Sequence, residues 1–344
     1  MASIPPAKEN PFNRTPSRWR WLLVAVPAAL LLWGVGYVNI GEWIDHRRFP
    51  QVGTSVDIGG RTLNLYCSGT GNPTVVFETG FGQPGYSWTL VQPRVARTNR
   101  ACWYDRAGNG WSDEATGPRY SDSVVSDLHK LLAAAQLPPP YVLVGHSIGG
   151  FHVRVYHAMY PADVAGLVLV DPSNEDISTI PGMQPPSGPS APPVVVHIVD
   201  AVFRQIGLWR YFMRDQGPKP DSLSEHDWAL ISSLRKERKM VRAGSREAPE
   251  RGSAAIARRA DALDSVPMVV LTRGKPFGGP DTASGRQVWL GWVKLSGELA
   301  HRSSRGEQVV VPGSGHFPQY SAPQYVVDAV QRVIALGRMP ASKH

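Results

Sequence analysis

Gly145-His146-Ser147-Ile148-Gly149 sets a serine between two glycines, each two positions away. An apolar run, Tyr141-Val142-Leu143-Val144, leads into it, and Gly150-Phe151-His152-Val153-Arg154, which suits a helix, follows. A strand that turns sharply into a helix needs small residues beside the corner. The corner side chain then stands above the sheet, with helix N-terminal amides aimed at it. Ser147 at such a corner is a nucleophile for acyl transfer, provided a base takes its proton. An ordinary tight turn is the bland alternative. The chain has ten histidines. His46 and His344 fall outside the segment that reads as folded core. His146, His152 and His157 are too near Ser147 in sequence to face it. His129 falls on a predicted helix, His301 ends another, and His197 and His226 belong to a stretch without core strands. His316 stands in Gly313-Ser314-Gly315-His316-Phe317, a loop directly after the apolar run 308–311. From there an imidazole can swing over a sheet edge to reach the serine. A solvated loop histidine is the competing reading.

The elements that must position these groups are short apolar runs alternating with longer helical patterns. Strands are predicted at 55–58, 61–67, 74–78, 100–105, 141–145, 166–171, 267–272 and 308–311. Several are continuous Val/Leu/Ile runs, which marks strands covered on both faces. The first two, joined by Gly59-Gly60, read as a hairpin. The best helical stripe lies over 121–136, with Val124, Val125, Leu128, Leu131, Leu132 and Ala135 on one side, Ser121 as its cap and Pro138 to stop it. Strand–helix alternation predicts a doubly wound α/β sheet, mostly parallel. From 172 to about 265 the rhythm breaks. Helical patterns near 199–213 and 224–242 read there as an insertion covering one end of the sheet.

At this point the chain resembles the α/β-hydrolase superfamily over roughly residues 54–340. Beside Gly145-His146-Ser147-Ile148-Gly149-Gly150, the similarity includes Asp105-Arg106-Ala107-Gly108-Asn109-Gly110-Trp111-Ser112, Val168-Leu169-Val170-Asp171 and the loop around His316. The resemblance implies an eight-stranded sheet with a helical lid, and the chain order nucleophile, acid, histidine. Many members carry the acid after the seventh strand. Here no carboxylate appears after that strand until Asp281. Other members, haloalkane dehalogenases among them, place it where Asp171 ends the sixth strand. Asp171 is therefore the expected acid and Asp281 the alternative. The serine departs from the aspartate that dehalogenases and epoxide hydrolases use as nucleophile. The resemblance also implies an oxyanion hole from the Ile148 and Phe81 amides, although Thr79 replaces the histidine of the family's His-Gly-x turn. Asp105 and Arg106 are expected to form a structural charge pair. Cys67 and Cys102 fall on strands that neighbour each other in the family, so a disulfide is expected if the domain is exported.

Residues 19–40 read as a transmembrane helix, uncharged from Trp21 to Val38, with tryptophan or tyrosine near both ends. Lys8, Arg14, Arg18 and Arg20 before it predict a cytoplasmic N-terminus and an exported body. A cleaved signal lacks a suitable site here, and a buried helix is the third reading. The organisation expected is a cytoplasmic segment 1–18, an anchor 19–40, a linker 41–53, core 54–171, lid 172–265 and core 266–340. Over the 344 residues, 42% hydrophobic and 19% charged, the composition excludes a disordered chain, and two cysteines exclude a four-cysteine zinc module. Between Arg235 and Arg259 nine Lys/Arg face three Glu, either a solvated helix face or a lid on anionic lipid. The net charge of +8 comes without a nucleic-acid recognition motif. The expectation is a membrane-anchored serine esterase acting on a hydrophobic ester through an acyl-enzyme, with no metal or organic cofactor. Hydrolysis of amide, lactone or C–C bonds on the same residues is the nearest rival, and a non-catalytic binding module the more distant one. Oligomeric state has no sequence signal.

Overall fold

The eight predicted strands all form, each within two residues of its expected bounds: β1 (Thr54–Asp57), β2 (Thr62–Ser68), β3 (Thr74–Glu78), β4 (Ala101–Tyr104), β5 (Tyr141–His146), β6 (Val164–Val170), β7 (Met268–Arg273) and β8 (Gly306–Val311). The structure is a computed structural model that describes residues 18–183, 202–203, 205–213, 217–247, 250–260, 263–276 and 282–338. The strands join in one sheet in the order β1-β2-β4-β3-β5-β6-β7-β8. β1/β2 and β2/β4 pair antiparallel, and every other pair is parallel. Gly59 and Gly60 turn the β1–β2 hairpin, both at positive φ, where a side chain would be strained.

Alternation along the central strands explains why the sheet is covered twice. Val76, Leu143, Leu167, Leu169 and Val270 face one core, which the stripe of α2 (Ser121–Ala134) and the inner side of α3 (Gly149–Met159) close. Val75, Val142, Val144, Val168 and Val269 face a second core on the opposite side. The central strands are thus dry on both faces, as parallel strands require, while β1 at the edge stays largely exposed. Cys67 and Cys102 are register partners across β2 and β4, and they form a disulfide with Cα atoms 4.1 Å apart.

The N-terminal helix α1 runs from Arg18–Arg48 as one unbroken element with Pro27 inside it. Its apolar side chains are bare from Trp21 (67% exposed) to Leu32 (74%), which removes the buried-helix reading. Near its other end Val38 is buried, and Phe49, just past the helix, packs on Leu230 and Leu234.

Those leucines lie in α4 (Glu225–Arg235), which Ser224 caps by accepting from the Asp227 amide. The continuous pattern expected to residue 242 is interrupted at 236–237. Then come α5 (Arg238–Glu247), α6 (Glu250–Arg259), α7 (Ala283–Ala300) and α8 (Pro323–Arg338). Two expectations here are corrected. The α2 cap is Tyr120, which makes no side-chain cap bond, because Ser121 is buried beneath α6 and its amide donates to Ser253 Oγ. The basic stretch is not simply a solvated face. Arg242 and Arg246 reach Glu114, Arg238 reaches Glu42 of α1, and Arg258 reaches Asp176. Its Glu247 is wholly buried.

Just beyond β6, Glu175 is a buried acid held by a paired contact from Arg154 (2.9 Å to each oxygen) and by Arg302. Burial by itself would raise this carboxyl, but the two guanidiniums outweigh it and carry it down to about 2. A carboxyl depressed in the folded state stabilises fully above its unfolded pKa of about 4.3, and the contribution fades as pH falls towards its folded value. Denaturant titrations should therefore show stability falling between pH 5 and pH 3 at low acid strength. Glu175→Gln should be less stable at pH 6 but vary less across that window.

Candidate active site

Ser147 follows β5 directly and carries φ +53, a left-handed conformation that non-glycine residues rarely adopt. Its amide is held by Val170 O at 3.1 Å. Space at the corner is as tight as the motif implies. A Cβ on Gly145 would lie 2.4 Å from Gly149 O, and one on Gly80 would lie 2.6 Å from the His146 ring.

His316 arrives from the loop after β8. Its Nε2 lies 3.1 Å from Ser147 Oγ, and its Nδ1 lies 2.6 Å from Asp171 Oδ2. Asp171 ends β6 at φ +42 with its side chain entirely buried, and its amide donates to Leu271 O at 2.7 Å. The structure thus brings together Ser147, His316 and Asp171. Asp281 lies outside the described residues, as do His197 and residues 1–17.

Asp171 is tied down by groups that the sequence reading did not single out. Oδ1 accepts from the Arg273 amide (3.0 Å) and from Trp292 Nε1 (2.9 Å), while Oδ2 also accepts from Arg273 Nε at 2.8 Å. Burial would raise its carboxyl. The His316 hydrogen bond and the Arg273 charge prevail and hold it below the usual range, so it stays ionised. The signal for Arg273 was present in the chain: it ends β7, where many relatives begin the turn that carries their acid. A cation at that place and a carboxylate at the neighbouring strand end are complementary.

His146, inside the glycine motif, donates Nε2–H to His316 O at 2.7 Å and packs beside that ring at a tilt of 45°, with centroids 4.8 Å apart. Burial, helped by the nearby His316, pushes its imidazole down to about 3, so it is neutral and acts as a fixed hydrogen-bond donor. It is a support for the His316 loop rather than a base, because its Nε2 is committed to the His316 carbonyl and its Nδ1 makes no hydrogen bond among the described residues.

The expected pair of Asp105 with Arg106 does not form. Asp105 instead accepts from the Gly85 amide (2.6 Å), Asn64 Nδ2 (2.9 Å) and the Trp111 amide (3.1 Å), an all-neutral shell in which burial raises its carboxyl. Arg106 turns the other way. It binds Glu78 and, with two parallel contacts of 2.8 and 2.9 Å, Glu247 of α5. It also donates to Thr79 O (2.8 Å) and Gly80 O (3.0 Å). The reason is spatial. Glu78 ends β3 beside β4, and a buried guanidinium must have its donors filled. Arg106 therefore fixes the backbone of the turn that presents Phe81. Thr79 closes the same turn from its hydroxyl to Gln83 O at 3.0 Å. Ile148 sits at the N-terminus of α3, and neither its amide nor that of Phe81 has a hydrogen-bond partner among the described residues.

Beside Phe81 and Gly82 lies a cavity of about 400 Å³, walled further by Met240, Val241 and Gly244 of α5. Among the described residues no three His, Cys, Asp or Glu side chains are grouped so as to hold a metal ion.

Residues 75–329 match the family model described as the alpha/beta hydrolase family. The chain belongs to that family. Its sheet order, the turn at Ser147 and the late loop carrying His316 are thereby features of one fold. The chain is 32% identical over 121 residues to uncharacterized protein YbdG of Bacillus subtilis, covering 35% of this chain and 37% of that protein. It is 33% identical over 123 residues to 2-hydroxy-6-oxo-2,4-heptadienoate hydrolase of Pseudomonas putida, covering 35% of this chain and 44% of that protein. The matches thus span less than half the length of these relatives. Two solved structures share the fold: the epoxide hydrolase CorEH (TM-score 0.57, 20% identity, 83% of this chain and 98% of that one) and a thermophilic esterase from Thermogutta terrifontis (TM-score 0.55, 20% identity, 84% and 100%).

Proposed function

We propose that this hydrolase cleaves carboxylic esters through an acyl-enzyme on Ser147. The observation that carries the reading is the continuous path from Ser147 Oγ to His316 Nε2 at 3.1 Å and from His316 Nδ1 to Asp171 at 2.6 Å. In this mechanism Ser147 attacks the ester carbonyl while His316 takes its proton. Asp171 holds the imidazole in the tautomer that leaves Nε2 free and stabilises the imidazolium. The Ile148 and Phe81 amides receive the charge that grows on the carbonyl oxygen. His316 returns the proton to the leaving alcohol. Water, activated in turn by His316, releases the acid and restores the serine. The helices between β6 and β7 act as a lid whose α5 lines the acyl pocket. Helix α1 anchors the enzyme in a membrane with its N-terminus in the cytoplasm. The uncharged run of 18 residues from Trp21 to Val38 supports the span, and the Lys/Arg residues before it support the orientation.

A second reading, hydrolysis of another bond on the same residues, draws on the relative whose name specifies 2-hydroxy-6-oxo-2,4-heptadienoate. One experiment separates the two. The full-length enzyme is assayed on p-nitrophenyl esters of two to sixteen carbons and on the matching anilides, alongside labelling by a fluorophosphonate probe. Ester turnover with labelling is the expected result. Labelling without any ester turnover would replace the ester reading by the second one.

A further inference from the structure

The segment 205–213, reached before α4, lies along α1. The Ile206 backbone passes so close to Gly34 that a Cβ there would sit 2.5 Å from Ile206 O. Gly207 faces Tyr37 and Val38, the Arg210 side chain crosses Gly41, and Arg210 Nη2 ends 2.6 Å from Asp45. The contacts therefore begin within the apolar part of α1 and end at its first charged turn. From Gly34 to Ile40 is a rise of roughly 9 Å, the depth at which an interfacial helix lies beneath headgroups. Around this point the surface divides. Val202, Tyr211 and Phe212 are 49%, 43% and 62% exposed, continuous with the bare side chains of α1. On the polar side lie three separate ion pairs, Arg238 with Glu42, Arg210 with Asp45 and His46 with Glu237. An apolar edge continuous with a membrane-compatible helix, bounded by paired charges, fits one occupant, a bilayer surface.

The same segment supplies Trp209 and Met213 to the wall of the cavity beside Phe81. One apolar chamber thus has the candidate oxyanion turn at one wall and the interfacial segment at another. We propose that this cavity receives the acyl chain of a lipophilic ester directly from the bilayer, so that the substrate class is membrane-dissolved, long-chain esters. This rests on the ester-hydrolase reading above. The cavity volume, about 400 Å³, lies in the ordinary range of ligand pockets, and its wall is mainly apolar. Segment 205–213 then divides its duties: exposed Tyr211 and Phe212 set the enzyme's depth in the membrane, and Trp209 and Met213 form the entrance through which the chain passes.

The test uses the full-length protein in palmitoyl-oleoyl phosphatidylcholine vesicles, with 4-methylumbelliferyl palmitate dissolved in the bilayer and 4-methylumbelliferyl acetate in the water. Phe212→Asp places a charge on the apolar edge without touching the cavity wall. Its turnover of the palmitate should fall about ten-fold or more, because a charged side chain resists interfacial depth, while turnover of the acetate is unchanged. A separate arm does not depend on catalysis: bimane attached to Phe212→Cys should be quenched by phosphatidylcholine carrying a doxyl group high on its acyl chain. Equal losses on both esters, no loss on either, or bimane left unquenched would each overturn the proposal. If the parent protein hydrolyses neither ester while bimane is quenched, the hydrolase reading fails and the membrane contact stands.

Discussion

Ser147→Ala should lose on the order of 10⁶ in kcat on the best ester of the series, with the melting temperature essentially unchanged. The substitution removes one oxygen and leaves the corner intact. Alanine meets the same left-handed backbone constraint as serine at φ +53, and the hydroxyl's recorded partner is His316 Nε2. Nothing in the two cores depends on it. The turnover that remains should be what the amides and the pocket provide without covalent chemistry. Fluorophosphonate labelling of the variant should vanish. Labelling that persists at the parent level would mean another nucleophile carries the reaction.

Asp171→Asn should lower kcat on the order of 10⁴, while Asp281→Asn stays near the parent value. The amide that replaces the carboxylate keeps the shape but can present an N–H to His316 Nδ1, which favours the tautomer with its proton on Nε2, where the serine needs an acceptor. The change also removes one ionised partner of Arg273. Guanidinium and carboxylate are both buried here, with side chains 6% and 0% exposed, so the variant should be destabilised as well. Activity therefore has to be normalised to folded enzyme, measured by denaturant melts in parallel. Near-full turnover for Asp171→Asn with a collapse for Asp281→Asn would reassign the acid.

The two results bear on different parts of the same relay. The serine prediction probes the corner at the end of β5, and the aspartate prediction probes the neighbouring end of β6. His316 lies between them and is held from a third direction by its own loop carbonyl on His146. A relay assembled from three strand ends keeps its distances only if the sheet register holds. The parallel pairing of Gly145 with Leu169 and of His146 with Val170 is what brings the two corners level.

How much was legible beforehand follows from how local each signal is. The central strands were readable because each is a short apolar run buried on both faces, β1 because the Gly59-Gly60 turn follows it, and the glycine-flanked serine because a sharp corner restricts its neighbours sterically. His316 could be singled out because its loop follows a core strand. Groups whose partners are remote in sequence were not readable. Arg106 reads as the neighbour of Asp105, yet backbone alternation sends the two side chains apart, one to neutral donors and the other to Glu78 and to Glu247, 141 residues away. The basic run of α5 and α6 reads as surface charge until the acids opposite it are known. Segment 205–213 reads as one more helical pattern until α1 lies against it.

The amino-acid order alone therefore determined the strand set, the corner serine and the presence of a long apolar N-terminal helix, because each depends on residues within a few positions of one another. Only the tertiary structure decided that Arg273 and Trp292 hold Asp171, that Arg106 governs the turn carrying Phe81, and that one cavity touches both that turn and the segment lying on α1. Those outcomes depend on which buried charge finds a partner across the fold, and desolvation makes such pairings obligatory without making them local.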